Sequence, residues 1–343
     1  MKTIEIHGST GDSIILISER LRNLREYIPS EKVVIITDTN VRRYYQQDFP
    51  SCEVIEIGTG ENIKSLDTVQ TIYGKLVDYE ADRSSFIVGI GGGVVCDIAG
   101  FVASTYLRGV SFGFVPSTLL SQVDASVGGK NGVNFGGYKN MVGIFRQPEF
   151  VICDTSLLRS LPEIEISSGL AEIVKHAAIG DVDLFSYLER YHEKALKLDS
   201  EIIENLVYGS LLIKSSIVNR DEKEEGERRK LNFGHTFGHA IEGTTGVPHG
   251  EAVSLGMVVA SAFSAKRNYL PYEDSERIEE LLRKLKLPTK IKLDRERVLD
   301  ALRKDKKREK DSIRFVFLQG IGNAVVEEIS IKELEHIVNL IVR

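Results

Sequence analysis

Cysteine is scarce in this sequence, and so are long apolar runs and excess positive charge. The 343 residues include Cys52, Cys96 and Cys153, an odd number without CxxC spacing, which argues against a disulfide framework. The longest run without charge, 109–123, is too short to span a bilayer and contains Pro116. The first residues alternate like a strand and lack the apolar core of a signal peptide. We therefore expect a cytoplasmic protein that does not insert into membranes.

The charge balance restricts the partners. A formal net charge of −6 argues against a general nucleic-acid surface. It still permits an anionic small substrate, because a cleft can concentrate lysines while the outer surface stays acidic. The apolar fraction of 42% and the charged fraction of 27% are ordinary for a globular protein, and the length suits two domains.

Three histidines lie close together in the segment 231–253. His235 and His239 are four residues apart, a spacing that puts both imidazoles on one helix face, where they can point at one divalent metal. His249 follows a loop signal and precedes another helix pattern, so it can complete a three-ligand catalytic zinc site. The pattern alone leaves open that all three are helix-end or core histidines hydrogen-bonded to backbone carbonyls.

The first half of the chain alternates strand and helix patterns, which predicts an α/β domain. Two short strands fall within 2–18, and buried strands are predicted at 32–37, 53–57, 85–90, 110–115 and 150–153. From residue 157 onward nearly everything is helical until a strand signal at 313–318. We therefore expect two domains, 1–154 and 155–343, with a boundary near Asp154.

A glycine turn follows the strand at 85–90. Gly91, Gly92 and Gly93 precede a helix pattern, an order that lets backbone N–H groups and a helix N-terminus approach a pyrophosphate. Val94 stands where the ordinary dinucleotide fingerprint needs a glycine, so this is not that fingerprint. Glycines that serve tight packing alone remain an alternative.

Polar residues follow the strand at 32–37. Asp38 and Asn40 stand where open α/β sheets bind ligands, and an aspartate there can accept a hydrogen bond from a ribose hydroxyl. The alternative is that one of them only caps the next helix.

Spaced cations mark the segment 106–148. A flexible glycine-rich loop predicted over 128–139 carries lysines, as an anionic substrate would need, whereas a generic surface loop would be richer in Ser, Glu and Pro. The polar residues of this segment are Arg108, Asp124, Lys130, Lys139 and Asn140.

The helical half carries a further charged pair. Glu172 and Lys175 share a helix face inside the apolar sequence GLAEIVKHAAIG, so we expect them to be buried and paired. If Glu172 faces the histidines, it completes an ordinary Glu, His, His zinc set. The alternative is an ion pair on a solvated face. The acidic run 221–227 and the charge run 303–310 are typical of solvated surface.

Several long motifs, in order, resemble the 3-dehydroquinate synthases of the shikimate pathway. They are GGGVVCDIAGFVASTYLRG, PSTLLSQVDASVGGKNGVN, YKNMVGIFRQP, GLAEIVKHA, LNFGHTFGHAIE and HGEAV, and DKK at 305–307 fits as well. The resemblance covers about residues 31–320. It implies an N-terminal Rossmann-like NAD-binding α/β domain, a C-terminal mostly helical metal-binding domain and an active site in the cleft between them.

The resemblance also implies the site residues. The metal, Zn²⁺ or Co²⁺, would be held by Glu172, His235 and His249, and His239 would face the substrate, contrary to the helical-spacing argument. NAD would be held by Asp38, Asn40, Glu61, Lys64, Gly91, Gly92, Gly93, Asp97, Ser117 and Thr118. The substrate's phosphate and carboxylate would meet Arg108, Lys130, Lys139, Asn140, Lys175, Lys214, Arg228, Asn232 and His239, with Asp124 beside them and Lys307 contributing. Two departures from the family pattern are Cys96 in place of a common glycine and Ser117 in place of a common threonine.

The implied reaction converts 3-deoxy-D-arabino-heptulosonate 7-phosphate, a phosphorylated sugar acid, to 3-dehydroquinate and phosphate. It runs through transient oxidation by NAD, phosphate elimination, reduction, ring opening and an intramolecular aldol step. A homodimer is also expected from the family.

Three alternatives have to be weighed against this reaction. An NAD- and metal-dependent polyol or iron-type alcohol dehydrogenase has no need for so many lysines. Other sugar-phosphate cyclases are closer rivals, and Lys139, Asn232 and His239 favour the dehydroquinate synthase. An inactive NAD-binding module would have no physical need for costly buried charges.

Overall fold

The structure is a computed structural model that describes residues 1–292, 294–303, 308–309 and 312–341. The chain forms two compact units, Met1–Pro162 and Glu163–Arg343, called here the first and second units. None of the described helices is both long and apolar enough to cross a membrane.

The first unit is an α/β unit built on a seven-stranded sheet. Its strands and helices are, in chain order, β1 (Lys2–Gly8), β2 (Gly11–Ile17), β3 (Val33–Asp38), α1 (Thr39–Tyr45), β4 (Glu53–Ile57), α2 (Leu66–Asp78), β5 (Phe86–Gly91), α3 (Gly93–Thr105), β6 (Ser111–Pro116), β7 (Lys130–Phe135), β8 (Tyr138–Phe145) and β9 (Phe150–Cys153). The strand order is β1-β2-β9-β6-β5-β3-β4, with β1 antiparallel to β2 and the other pairs parallel.

The burial of the parallel strands explains why the sequence predicted the strands of the first unit well. Strands covered on both faces are continuous apolar runs, and Ile35, Val88, Ile90 and Val115 are fully buried. The strands predicted from these runs are present to within about one residue at each end. The core also contains a stacked ring pair, Phe86 on Phe150, with centroids 5.6 Å apart.

The flexible loop predicted over 128–139 is wrong. This stretch belongs to an antiparallel hairpin in which β7 pairs with β8, from Lys130 opposite Phe145 to Phe135 opposite Tyr138. Gly136 and Gly137, both with positive φ, form the two-residue turn that such hairpins favour. The lysines of this segment therefore stand on strands.

The second unit is mostly helical. Its elements are α4 (Glu163–Gly180), α5 (Val182–Leu196), α6 (Ser200–Arg220), α7 (His235–Thr245), α8 (His249–Lys266), α9 (Tyr272–Lys284), α10 (Arg295–Arg303), β10 (Arg308–Glu309), β11 (Ser312–Leu318), β12 (Ala324–Ser330) and α11 (Ile331–Ile341). The strand predicted at 313–318 is β11, and it lies between β10 and β12 in a small antiparallel sheet.

Helix α8 is the centre of the second unit. It is apolar on nearly all sides, which is typical of a buried helix, and it packs against α4, α7 and α9. A long stretch of α4 is also buried on all sides, although it includes the charged side chains of Glu172 and Lys175. Buried charge on an apolar helix points to a functional role.

Candidate active site

Three side chains of the second unit bring one metal-binding atom each into a small space. Glu172 lies in the middle of α4, whereas His235 and His249 are the first residues of α7 and α8. The Nε2 atoms of His235 and His249 lie 3.6 and 3.4 Å from Glu172 Oε1. The three donor atoms all lie within 4.8 Å of one another, close enough to share one ion.

Two glycines let these three helices approach closely. A Cβ at Gly250 would lie 2.3 Å from Cα of Ser168, one turn before Glu172 on α4. A Cβ at Gly256 would lie 1.9 Å from the carbonyl oxygen of Gly234, the residue directly before α7. Because neither position has room for a side chain, backbone contacts fix the distances between the ligand-bearing helices.

Hydrogen bonds orient the rings of both histidines. His235 Nδ1 lies 3.2 Å from the carbonyl oxygen of Phe233, and His249 Nδ1 lies 3.4 Å from Oε2 of Glu242. Both partners accept hydrogen bonds, so each Nδ1 carries the hydrogen and each Nε2 faces the cluster. Burial also holds the pKa of His235 well below its usual range, which keeps this imidazole neutral.

The donor set fits zinc or cobalt. One carboxylate and two imidazoles, with a position left for water or substrate, is an established arrangement of catalytic zinc. The hydrogen bond at each Nδ1 is the support that metal-binding imidazoles receive in proteins. The charge of the cluster is balanced locally, because Lys175 forms a buried ion pair with Oε2 of Glu172.

His249 behaves differently from His235. Burial lowers the pKa of His249, but its hydrogen bonds to Glu172 and Glu242 outweigh burial and raise the pKa to about 9. Without a metal, His249 is therefore protonated at neutral pH, with a carboxylate oxygen 3.4 Å from each of its nitrogens.

His239 is not part of this cluster. Its side chain is exposed, and its ring stands edge-on to that of His235 with the centroids 5.2 Å apart. The helical-spacing hypothesis paired His235 with His239, whereas the donor atoms pair His235 with His249.

The acidic run 221–227 organises other predicted site residues of the second unit. The Asp221 carboxylate accepts from the backbone N–H of Arg228 at 2.9 Å, and the guanidinium of Arg228 donates to the carbonyl oxygen of Glu222. Asn232 Nδ2 donates to Oε1 of Glu224 at 2.5 Å. The run is thus an ordered turn that positions Arg228 and Asn232. Lys214 is buried on α6.

In the first unit, the predicted cofactor residues gather where parallel strands end. The chain leaves β3 for β4 on one side and then returns to β5 on the other, so the strand order reverses between β3 and β5. Such a switch point is where open α/β sheets bind ligands. β3 ends at Asp38 and β5 ends at Gly91. The backbone N–H of Ser117, directly after β6, donates to the carbonyl oxygen of Gly91 at 2.8 Å.

The glycine turn and its neighbours have the geometry of an anion site. α3 begins at Gly93, so its first N–H groups point out of the helix at the end of β5. A Cβ at Gly92 would lie 3.3 Å from Cγ2 of Thr118, which shows how closely the two predicted segments approach. These residues fit the phosphates of a dinucleotide.

Asp38 caps a helix. Its Oδ1 accepts from the backbone N–H groups of Asn40 at 2.8 Å and Val41 at 3.0 Å, as the capping alternative expected. Burial nevertheless raises the pKa of Asp38. Because the cap uses Oδ1, it does not conflict with a second hydrogen bond at Oδ2.

A hydrogen-bond network joins predicted cofactor and substrate residues of the first unit. The buried Lys64 donates to Oδ2 of Asp97 and to Oδ1 of Asn140, both at 2.5 Å. Asn134 Nδ2 donates to Oε1 of Glu61 at 2.8 Å, and Oδ1 of Asn134 accepts from the backbone N–H of Asn140 at 2.8 Å. The hairpin is thereby held against the segment that carries Glu61 and Lys64.

The other predicted residues of the first unit lie on β7 and β8 and in the segments that follow α3 and β6. Lys130 begins β7 and Lys139 lies on β8, both exposed, and Asp124 is half-buried in a π-helical turn. Arg108 is exposed after α3 and has a positive φ of 70°, a conformation that is costly for a residue other than glycine. Lys307 lies outside the described residues.

Sequence reasoning missed three residues that the structure connects to the site. Glu242 falls two helical turns after His235, so helical spacing could have found it. Glu224 lies within the acidic run, which looked like solvated surface. Asn134 gave no signal in the sequence, because its partners depend on the hairpin.

Comparison with known proteins identifies the family. Sequence models of the N-terminal and C-terminal parts of 3-dehydroquinate synthase match residues 54–168 and 169–308. The chain belongs to the 3-dehydroquinate synthase family. The 3-dehydroquinate synthase of Dehalococcoides mccartyi (strain CBDB1) is 42% identical over 344 residues, covering 96% of each chain. That of Thermoanaerobacter pseudethanolicus is 42% identical over 325 residues, covering 91% of each.

Solved structures support the fold. A 2-epi-5-epi-valiolone synthase from Streptomyces hygroscopicus subsp. jinggangensis, with NAD⁺ and Zn²⁺ bound, has a TM-score of 0.88 at 24% identity and covers 99% of both chains. A 2-deoxy-scyllo-inosose synthase complexed with carbaglucose-6-phosphate, NAD⁺ and Co²⁺ has a TM-score of 0.82 at 25% identity, over 98% of this chain and 99% of that one. An iron-containing alcohol dehydrogenase from Thermococcus thioreducens has a TM-score of 0.70 at 17% identity, over 96% and 98%.

These likenesses confirm three predictions from the sequence. The family resemblance is correct, and the α/β fold with a mostly helical second half is that of the sugar-phosphate cyclases. The predicted enzyme class, a carbon–oxygen lyase that releases phosphate, is that of the 3-dehydroquinate synthase family.

Proposed function

We propose that this protein converts 3-deoxy-D-arabino-heptulosonate 7-phosphate to 3-dehydroquinate and phosphate, with NAD and Zn²⁺ or Co²⁺ as cofactors. The observation that carries the proposal is the Glu172, His235 and His249 cluster in a unit that also buries Lys175 and Lys214. A metal-dependent dehydrogenase needs the ligands but not the buried lysines. Fixed cations suit a substrate that carries both a phosphate and a carboxylate.

We assign the metal to Glu172, His235 and His249. Their Nε2 and carboxylate atoms converge, and the Nδ1 hydrogen bonds keep both rings in the correct tautomer. A metal held there would supply polarisation of a substrate hydroxyl, and bound NAD would supply the reversible hydride transfer. Lys175, already paired with Glu172, supplies a positive charge beside the site of oxidation.

We assign NAD to the first unit, at the switch point between β3 and β5. The N-terminus of α3 and the glycine turn would face the pyrophosphate, and Oδ2 of Asp38 would accept from a ribose hydroxyl. The full set assigned to the cofactor is Asp38, Asn40, Glu61, Lys64, Gly91, Gly92, Gly93, Asp97, Ser117 and Thr118. Lys64 and Asp97 already pair with each other, so their part is to hold the segment at Glu61 in place.

We assign the anionic groups of the substrate to Lys175, Lys214, Arg228, Asn232, His239, Arg108, Lys130, Lys139 and Asn140, with Asp124 beside them. These groups bind the dianionic phosphate through charge-assisted hydrogen bonds and stabilise negative charge that develops during elimination. The phosphate is itself the base that removes the neighbouring proton. The homodimer and the cytoplasmic location stay predictions, and Lys307 stays a predicted contributor.

The test is to supply the heptulosonate phosphate with NAD⁺ and Zn²⁺ and to follow inorganic phosphate together with absorbance at the NADH band. The internal redox cycle predicts stoichiometric phosphate, no net NADH and 3-dehydroquinate as the product. Accumulation of NADH without phosphate would instead establish a dehydrogenase. Phosphate release with a different carbocycle would establish another cyclase.

A further inference from the structure

The imidazole of His249 is held between two carboxylates. Its Nε2 faces Oε1 of Glu172 at 3.4 Å, and its Nδ1 faces Oε2 of Glu242 at 3.4 Å. Glu242 lies near the end of α7, two turns after His235, and its side chain is only 16% exposed. The two carboxylates come from different helices, so each constrains a different nitrogen of the ring.

The two histidines of the cluster are secured in different ways. The side chain of His235 is 10% exposed, and its Nδ1 is held by a carbonyl oxygen of its own backbone segment. The side chain of His249 is 30% exposed, so packing restrains its ring less. The hydrogen bond that orients His249 therefore depends on one exchangeable side chain, that of Glu242.

We propose that Glu242 is a positioning residue for the metal centre, and this inference rests on the proposed function. By accepting the hydrogen on Nδ1, Glu242 directs the lone pair of His249 Nε2 at the ion. A half-turn of the ring about χ2 would put Cε1 where Nε2 lies and Cδ2 where Nδ1 lies, and the hydrogen bond to Glu242 opposes it. Partners of this kind change metal affinity by about 10–100-fold when they are removed.

The test compares two variants by metal binding rather than by turnover. Glu242→Met keeps the side-chain length but has no oxygen acceptor, whereas Glu242→Gln keeps a weaker one. Zn²⁺ affinity is measured by competition with a chromogenic chelator, and the ligand geometry is followed in the visible spectrum of the Co²⁺-loaded protein. We expect Zn²⁺ affinity to fall about 10–100-fold in Glu242→Met and only a few-fold in Glu242→Gln, with the Co²⁺ bands shifted in both.

Controls separate this inference from loss of fold and from failure of the proposed function. Glu276→Ala removes an exposed carboxylate from α9 and should match the wild type. Unchanged NAD⁺ affinity and a single cooperative unfolding transition of the metal-free variants show that the fold is intact. If Glu242→Met does not fold, the Zn²⁺ affinity and Co²⁺ spectrum of Glu242→Gln test the inference instead.

Two results would overturn the inference: a folded Glu242→Met with wild-type affinity and spectrum, or a Glu242→Gln that is identical to the wild type when Glu242→Met does not fold. A wild-type protein that binds no stoichiometric Zn²⁺ or Co²⁺ would instead defeat the metal assignment in the proposed function.

Discussion

At the scale of single residues, His249 couples metal binding to pH. Burial lowers its pKa, but hydrogen bonds to Glu172 and Glu242 raise the value to about 9 in the metal-free protein. A metal at Nε2 must displace that proton, whereas His235 is already neutral. We therefore expect Zn²⁺ affinity to rise about tenfold per pH unit from about pH 7 to about pH 9 and then to level off.

Calorimetry in buffers of different ionisation enthalpy measures the protons released. We expect about one proton per Zn²⁺ near pH 7.5, and release of none, or of two, would contradict the assignment of the two histidines. The raised pKa of His249 also stabilises the metal-free fold. That contribution is complete below the ordinary histidine pKa of about 6.5 and is lost as pH rises through about 9.

Residue types at the metal site could be predicted from the sequence, but their partners could not. The segment 231–253 identified the histidines, and helical spacing then favoured His239 over His249 as the partner of His235. Which imidazole approaches Glu172 depends on where α8 begins and how closely it packs on α4, and neither is encoded in local spacing. The family resemblance, rather than the spacing, indicated His249 as the second histidine ligand.

At the scale of elements, the side chain of Asn134 helps to hold the hairpin of β7 and β8 against the segment that carries Glu61. Asn134 joins Oε1 of Glu61 to the backbone N–H of Asn140. We expect Asn134→Ala to lower kcat/KM by up to about 30-fold, since it removes two hydrogen bonds that contribute about 1 kcal/mol each. NAD⁺ affinity should also fall, because Glu61 loses its partner, while Zn²⁺ affinity should stay unchanged.

Steady-state kinetics and NAD⁺ titration by fluorescence check this prediction. Asn62→Ala is the matched control, because Asn62 is an exposed asparagine next to Glu61. Kinetic constants of Asn134→Ala that equal those of Asn62→Ala would show that the hairpin is held by other contacts.

Strands could be predicted from the sequence where their apolar pattern is uninterrupted. Parallel strands such as β3 and β5 are buried on both faces, and their uninterrupted apolar runs gave bounds that were nearly correct. The hairpin was mistaken for a loop because glycines interrupt its pattern. Two of them, Gly132 and Gly143, face each other across the strands, where a Cβ at Gly132 would lie 2.7 Å from the carbonyl oxygen of Val142. Glycine there serves strand pairing rather than flexibility.

At the scale of the whole molecule, the assigned cofactors fall in different units. All residues assigned to NAD lie in Met1–Pro162, and all three metal ligands lie in Glu163–Arg343. A ligand that binds only the folded state stabilises it by about 2.7 kcal/mol at a concentration of 100 Kd. We expect NAD⁺ alone to slow amide exchange most near 38–41 and 91–97, and Zn²⁺ alone to slow it most near 168–176 and 233–253.

Hydrogen exchange followed by mass spectrometry, with each cofactor added separately, tests this division. The metal-free, NAD-free protein is the reference, and a mixture of both cofactors shows whether their effects add. Strongest protection of the second unit by NAD⁺ would contradict the assignment at the switch point.

For the whole molecule, the pattern of strands and helices and the order of the motifs predicted the fold class and the family. The change from alternating strands and helices to helices alone indicated two kinds of structure in one chain, and six motifs in sequence indicated the family. The position of β12 was not predicted, because Glu327 and Glu328 interrupt its apolar pattern. Glu327 accepts a hydrogen bond from Arg267, 60 residues earlier in the chain.

The contacts at Gly250 and Gly256 constrain any attempt to redesign the metal preference of this protein. Exchanging a ligand side chain would alter the hardness of the donor set, yet it would leave the spacing of the three helices unchanged. Room for a cation of larger ionic radius would require moving the backbone of α8 away from α4 and α7. Libraries for directed evolution would therefore gain by keeping both glycines and varying the residues around the open coordination position.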